Sequence, residues 1–114
     1  MLERLYRWRV EEVADRLRAA LRVGDDLARI GGDEFTVLMR NVPDDDAAQH
    51  LADRMLAATT EPFVVDGREL RIGLSIGIAL VTPDLSADTL LALADAALYQ
   101  AKRDGGGRAH VAHR

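Results

Sequence analysis

Cysteine is absent from the 114-residue chain, so neither a disulfide framework nor a thiolate metal site can form. Long apolar runs are absent too. Residues 1–12 are broken up by Arg and Glu, and nothing approaches the ~18 consecutive apolar residues that span a bilayer. A cytoplasmic protein without direct membrane insertion is the expectation, with attachment through a partner domain left open. There is no excess of positive charge. The net charge of −4 argues against a general nucleic-acid binder, and a phosphate ligand would need a local basic patch. The three histidines show no i, i+4 spacing and no carboxylate pairing. His50 falls on a predicted helix and His110 and His113 near the tail, so solvated surface is expected of all three. Internal repeats and dividing linkers are also missing, which leaves one domain with a single small core.

The composition is globular, 48% apolar and 30% charged. Val10, Val13, Leu17, Ala20 and Leu21 recur at helical spacing, which predicts an amphipathic helix over residues 11–22, stopped by Gly24. Tyr6 and Trp8 just before it read either as a stacking platform or as an apolar start to that helix. Two short strands follow at residues 27–30 and 35–39, with Phe35, Val37 and Met39 on one face. Asp44, Asp45 and Asp46 then precede a helix over residues 47–58 whose stripe is Ala48, Leu51, Ala52, Met55 and Leu56. Acids at that place cap free amides and meet the positive helix end, a reading favoured over metal binding.

Residues 63–65, the turn Asp66-Gly67 and residues 69–81 predict a hairpin with one long arm. Along that arm Leu70, Ile72, Leu74, Ile76, Ile78 and Leu80 share one face. Gly73, Ser75, Gly77 and Ala79 share the other, which suits close packing by another element and a central strand. Ser86 is placed to cap a last helix with Leu90, Ala94, Ala97, Leu98 and Ala101 facing the core. Gly105 to Gly107 end it, as a flexible cap in preference to a phosphate loop, before a terminal strand over residues 108–113.

Between the first two strands stand Gly31, Gly32, Asp33, Glu34 and Phe35. Glycines let a ligand approach the backbone where no Cβ stands in the way, and adjacent carboxylates offer hard oxygens suited to Mg²⁺ and phosphate chemistry. A Gly-Gly turn with exposed acids is also an ordinary hairpin device. Yet with Gly at about 7% of residues, five fixed identities coincide by chance on the order of once per million positions.

With Val13-Ala-Asp-Arg-Leu before them, Ser75-Ile-Gly-Ile-Ala after them and Ala94-Asp-Ala-Ala-Leu-Tyr-Gln-Ala-Lys102 near the end, these residues resemble the GGDEF family. Its members are diguanylate cyclases, which condense two GTP molecules into cyclic di-GMP and two pyrophosphates. The resemblance runs from about Val10 onward, leaving residues 1–9 as a divergent extension and residues 10–114 as a truncated domain. It implies an α+β, palm-like (nucleotidyl cyclase or ferredoxin-like) fold, with an antiparallel-rich sheet and flanking helices.

By the resemblance, Asp33 is catalytic and binds the metal, Mg²⁺ or Mn²⁺, and Glu34 supports it. Gly31 and Gly32 leave room for the nucleotide, and Lys102 contacts the triphosphate. The family's partner Arg, four residues on, is Gly106 here. Arg108 is the candidate to replace it, against the alternative of a solvated terminal arginine. Each subunit of the family holds one GTP, so a homodimer, or other domains that bring two copies together, is implied. Arg22 and Asp25, separated from Gly31 by five residues, match the family's product-inhibition site, with Arg54 as a further arginine. Their side chains suit guanine and phosphate. Arg-x-x-Asp is elsewhere ordinary helix-end charge.

The family's first strand and following helix have no counterpart in these residues. A Gly-Asp pair expected near Arg7 reads Tyr6-Arg7. Without the first metal-binding Asp and the guanine-reading groups, this chain alone is expected not to make cyclic di-GMP. A non-catalytic cyclic di-GMP-binding or dimerising fragment is the alternative. The absent strand would lie inside the sheet. Its loss predicts that the remaining strands close up, that another chain fills the gap, or that the fold is marginal.

Overall fold

With no glycine or proline before Gly24, nothing in the sequence stops the first helix early. In the computed structural model, which describes residues 2–112, α1 spans Leu2–Ala20 instead of starting at residue 11. It passes unbroken through the boundary expected at residues 9–10. Tyr6 and Trp8 lie on the added length, and their side chains fall outside the described residues. Val13, Leu17 and Ala20 are buried, as their spacing predicts.

Asp44 caps α2 (Asp45–Thr60), its Oδ1 accepting from the Ala47 amide at 2.8 Å, which is the punctuation role expected of the acidic run. Ala48, Leu51, Ala52 and Met55 are buried, and Leu56 is half-buried at the margin of the stripe. Arg16 ties α1 to the far end of α2. Its Nη1 and Nη2 donate to the carbonyls of Glu61 and Pro62 at 2.7 and 2.8 Å, and its guanidinium lies 3.7 Å from the Phe63 ring centroid.

β1 (Asp26–Gly31) and β2 (Glu34–Met39) form the motif hairpin. The single long arm expected over residues 69–81 is divided in two. β4 (Arg68–Leu70) pairs with β3 (Phe63–Val65) in a small separate hairpin, while β5 (Ser75–Leu80) belongs to the main sheet. The unbroken alternation reports which side is buried and is silent on hydrogen-bond partners, and the partners change between Leu70 and Ser75. β6 covers Arg108–Val111, shorter than expected, and the main sheet runs β1-β2-β5-β6.

The α+β palm-like class stands, but the main sheet is mixed. β1–β2 is antiparallel, whereas β2–β5 and β5–β6 are parallel, so antiparallel pairing is confined to the two hairpins. Around the position expected for an interior strand, this chain's own strands sit side by side. β2 and β5 pair directly from Glu34↔Ser75 to Met39↔Leu80, leaving no gap between them. Ser75 and Val81 amides extend the ladder to the carbonyls of Asp33 and Met39, at 3.0 and 2.8 Å.

β5 is central and covered on both faces, as its small residues predict. Ile76 and Ile78 join Phe35, Val37 and Met39 in the core shared with α1 and α2. On the other face α3 (Ala87–Arg103) crosses Gly77 so closely that a Cβ there would collide with the Ala94 carbonyl oxygen and the Leu98 amide. Ser86 caps α3 by accepting from the Thr89 amide at 3.1 Å. Leu90, Ala94, Ala97, Leu98 and Ala101 form its buried stripe, the five that periodicity selects.

Candidate functional site

The motif turn is two residues, Gly32 and Asp33, closed by the Gly31↔Glu34 pair, with a register shift between Arg29 and Gly31. Asp33 is exposed, and its carbonyl is held by the Ser75 amide at 3.0 Å. The hairpin tip is therefore pinned to the start of β5 while its carboxylate faces solvent. Glu34 is half-buried and its carboxylate folds back over Gly31, where an added Cβ would collide with Oε2. That collision gives Gly31 a definite purpose: it makes room for the neighbouring acid.

Lys102, in the last turn of α3, pairs through Nζ with Glu34 Oε1. The hydrogen bond that Lys102 donates to Glu34, and then the charge of Glu34, raise the Lys102 pKa, with smaller support from Asp33 and Tyr99 against some desolvation. Position also favours a cation there, since the C-terminal turn carries the negative end of the helix dipole.

Gly105, Gly106 and Gly107 follow with φ of +109°, +72° and +61°, a run of left-handed backbone that side chains resist. The amides of Gly105 and Gly106 return to the carbonyls of Lys102 and Ala101 at 3.1 and 3.0 Å. The glycines thus cap the helix, as expected. The loop then crosses the head of β5, where a Cβ on Gly106 would stand 3.4 Å from Ser75 Oγ. Arg108 starts β6 in register with Ser75, exposed, its amide on the Leu74 carbonyl at 2.9 Å. The beginnings of β2, β5 and β6 and the end of α3 therefore share one edge of the sheet, bringing together Gly31, Gly32, Asp33, Glu34 and Lys102.

Arg22 and Asp25 meet at the other end of the hairpin. The Asp25 side chain is only 1% exposed. It accepts from the Arg22 amide at 3.0 Å, the Arg40 amide at 3.1 Å and the Arg22 guanidinium at 3.3 Å. Arg22 Nη2 also donates to the Arg40 carbonyl at 2.6 Å, and Arg40 Nη2 to Asp26 at 2.6 Å. The pair staples the turn after α1 to the end of β2. Arg54 is exposed on α2 and makes no hydrogen bond or ion pair among the described residues. Arg40 was not singled out from the sequence; its place where β2 ends opposite Asp26 is the one local signal it leaves. Ser75 was noted only as a small residue on a strand face, although its amide fixes the motif turn.

The histidines need one correction. His50 is exposed as expected and His113 lies outside the described residues, but the half-buried His110 Nε2 stands 3.0 Å from Asp104 Oδ2. The turn of Gly105–Gly107 brings β6 back beside the end of α3, which sequence spacing does not reveal. A cleft of about 290 Å³ lies alongside, lined by Leu93, Ala97, Gln100, His110 and Val111 and containing none of the motif residues. Among the described residues no helix is long and apolar enough to cross a membrane.

A family model described as "Diguanylate cyclase, GGDEF domain" matches residues 10–108. The chain is 43% identical over 95 residues to the bifunctional diguanylate cyclase/cyclic di-GMP phosphodiesterase MucR of Pseudomonas aeruginosa, covering 82% of this chain and 14% of that protein. It is 36% identical over 101 residues to diguanylate cyclase A of Treponema denticola, covering 87% and 27%. The crystal structure of the GGDEF domain of TpbB from Pseudomonas aeruginosa superposes with a TM-score of 0.75 at 37% identity, covering 90% of this chain and 65% of that one. The chain thus spans a small fraction of the curated relatives and about two thirds of the solved domain.

Proposed function

The chain belongs to the GGDEF family of diguanylate cyclases, and from that premise we propose that its motif edge is a half-site for GTP and a divalent cation. The observation that carries this reading is the convergence of Asp33, Glu34 and Lys102 from segments far apart in sequence. Mg²⁺ or Mn²⁺ suits these donors. Such ions are held by one or two carboxylates together with substrate phosphates, and among the described residues no group of three or more His, Asp or Glu would hold one alone. When bound, the ion draws charge from phosphate oxygens and from an attacking hydroxyl. Asp33 offers the solvent-facing carboxylate, Glu34 stands behind it, and Lys102 supplies an ammonium for the triphosphate. Gly31 and Gly32 keep the backbone approachable.

Two such half-sites meeting across a two-fold axis would place one nucleotide against the other. The 114 residues alone are proposed not to complete the reaction, because Tyr6-Arg7 stands where the Gly-Asp pair with its guanine-reading acid is expected and these residues hold no counterpart of the first metal-binding Asp. A sensitive assay with GTP and Mg²⁺ or Mn²⁺ is expected to give no cyclic di-GMP, while Mn²⁺-dependent GTP binding is retained and is lost in Asp33→Asn. Product formation proportional to dimer concentration would overturn the first statement, and GTP binding indifferent to Asp33 the second.

The second reading, a cyclic di-GMP sensor built on Arg22, Asp25 and Arg54, draws support from the Arg22–Asp25 contact. The buried, already satisfied carboxylate of Asp25 weighs against it. Titration with cyclic di-GMP before and after Arg22→Ala decides: binding that depends on Arg22 favours the sensor.

A further inference from the structure

We infer that Lys102 is a two-position cation that couples the two ligands of the motif edge, its ammonium moving from Glu34 to phosphate when a divalent cation takes the Glu34 oxygens. The inference rests on the half-site reading above and adds a property which that reading lacks. A cation at Glu34 must compete with the ammonium on Oε1, and a phosphate at Lys102 must compete with the Glu34 carboxylate. Each ligand alone has to break the ion pair. Together they break it once and each inherits a freed partner, so either one strengthens the binding of the other.

Several features fit a mobile contact better than a fixed one. The Lys102 side chain is half exposed and reaches Glu34 from a helix end, and Glu34 folds into space that exists only because residue 31 is glycine. Beside them the three left-handed glycines add no side chains of their own. Residue choice points the same way. The chain has fourteen arginines and a single lysine, and the lysine is at this position. A guanidinium would grip a carboxylate with a rigid two-pronged fork, whereas an ammonium is a compact charge on a flexible stem that changes acceptors easily. An exposed pair is weak, so the coupling belongs at the low end of the usual range, about fivefold.

The test uses the whole chain and Mn²⁺ alone, with free Mn²⁺ counted by electron paramagnetic resonance at fixed pH. Lys102→Gln is expected to bind Mn²⁺ about fivefold more tightly than the parent chain. Arg103→Gln, which removes the same charge one residue away without touching Glu34, should leave Mn²⁺ affinity nearly unchanged. The reciprocal arm uses inorganic tripolyphosphate in the presence of a chelator, and Glu34→Gln is expected to bind it about fivefold more tightly than the parent. This arm and the next stand even if Lys102→Gln fails to fold. Because Lys102 is the only lysine, its Nζ resonance is unambiguous, and saturating Mg²⁺ should move it to the position seen in Glu34→Gln. Equal Mn²⁺ affinity in parent and Lys102→Gln, with binding still lost in Asp33→Asn, overturns the coupling and spares the half-site. An Nζ resonance indifferent to Mg²⁺ that otherwise binds overturns it too. Absence of Mn²⁺ binding in both parent and Lys102→Gln removes the half-site and the coupling together.

Discussion

The two ends of one hairpin each hold a carboxylate beside a basic side chain, and they differ in what else the carboxylate touches. At the open end the Asp25 side chain is 1% exposed and receives two backbone amides, from Arg22 and Arg40, in addition to the Arg22 guanidinium. At the tip Glu34 is 21% exposed, and its ion pair is with one long, half-exposed lysine. Backbone donors cannot be redirected without moving a strand, so the first carboxylate is committed to the fold. A lysine can rotate away, so the second remains available to a ligand. Identical chemical groups thus serve as a staple at one end and, in the proposed reading, as a site at the other.

The largest expected effect comes from moving the helix that brings Lys102 to the tip while leaving both ends of the hairpin intact. Gly77→Ala forces a methyl into the Ala94 carbonyl and the Leu98 amide, which are backbone and cannot yield cheaply. Denaturant unfolding should show a loss of about 3 kcal/mol, typical of severe overpacking. Retained stability would mean that α3 rides on β5 less tightly than this contact requires.

Asp25→Ala sharpens the contrast directly. It leaves the Arg22 and Arg40 amides without their acceptor, for a loss of about 2 kcal/mol measured by thermal or chemical unfolding. Glu34→Ala should be close to neutral, because its partner is a half-exposed lysine that water serves equally well. Equal losses in the two variants would erase the distinction between staple and site.

A milder disturbance is Gly31→Ala. The new methyl meets the end of a flexible side chain, so Glu34 swings out and stability changes by less than about 1 kcal/mol. Lys102 should then be acylated faster than in the parent chain; an unchanged rate would show that Glu34 does not hold it.

The smallest effect is on pH dependence. The hydrogen bond and charge of Glu34 raise the Lys102 pKa above its ordinary 10.5, so the protonated lysine favours the folded state. That contribution is fully present below 10.5 and fades as the pH climbs through the raised folded value. The melting difference between parent and Glu34→Gln should therefore be level up to that point and shrink beyond it. A difference that grew in alkali would contradict the pairing.

Local signals were read well where one element carried them whole. The capping acid Asp44, the cap Ser86, the five buried positions of α3 and the small-residue face of β5 follow from periodicity and from side chains that serve their own backbone. The motif itself was legible because five adjacent residues define it. The start of α1 was missed because its Arg and Glu residues obscure the apolar spacing, although the lack of any breaker before Gly24 was there to be used. The division of β4 from β5 was missed because alternation is the same whichever strand lies alongside. Sequence spacing leaves His110 on solvated surface because the turn that returns it to Asp104 is formed by three glycines with no side-chain signal.

By itself the sequence determined where three helices and their caps and turns fall, though not where the first helix begins, and that a glycine-rich acidic tip stands between two strands, because those depend on neighbours within a few positions. Only the tertiary structure decided that β2 and β5 pair in parallel, that Asp25 is buried and Glu34 is within reach, and that the one lysine lies on the motif. Burial and pairing depend on segments as distant as Glu34 and Lys102, and that proximity arises only when the helix packs across Gly77.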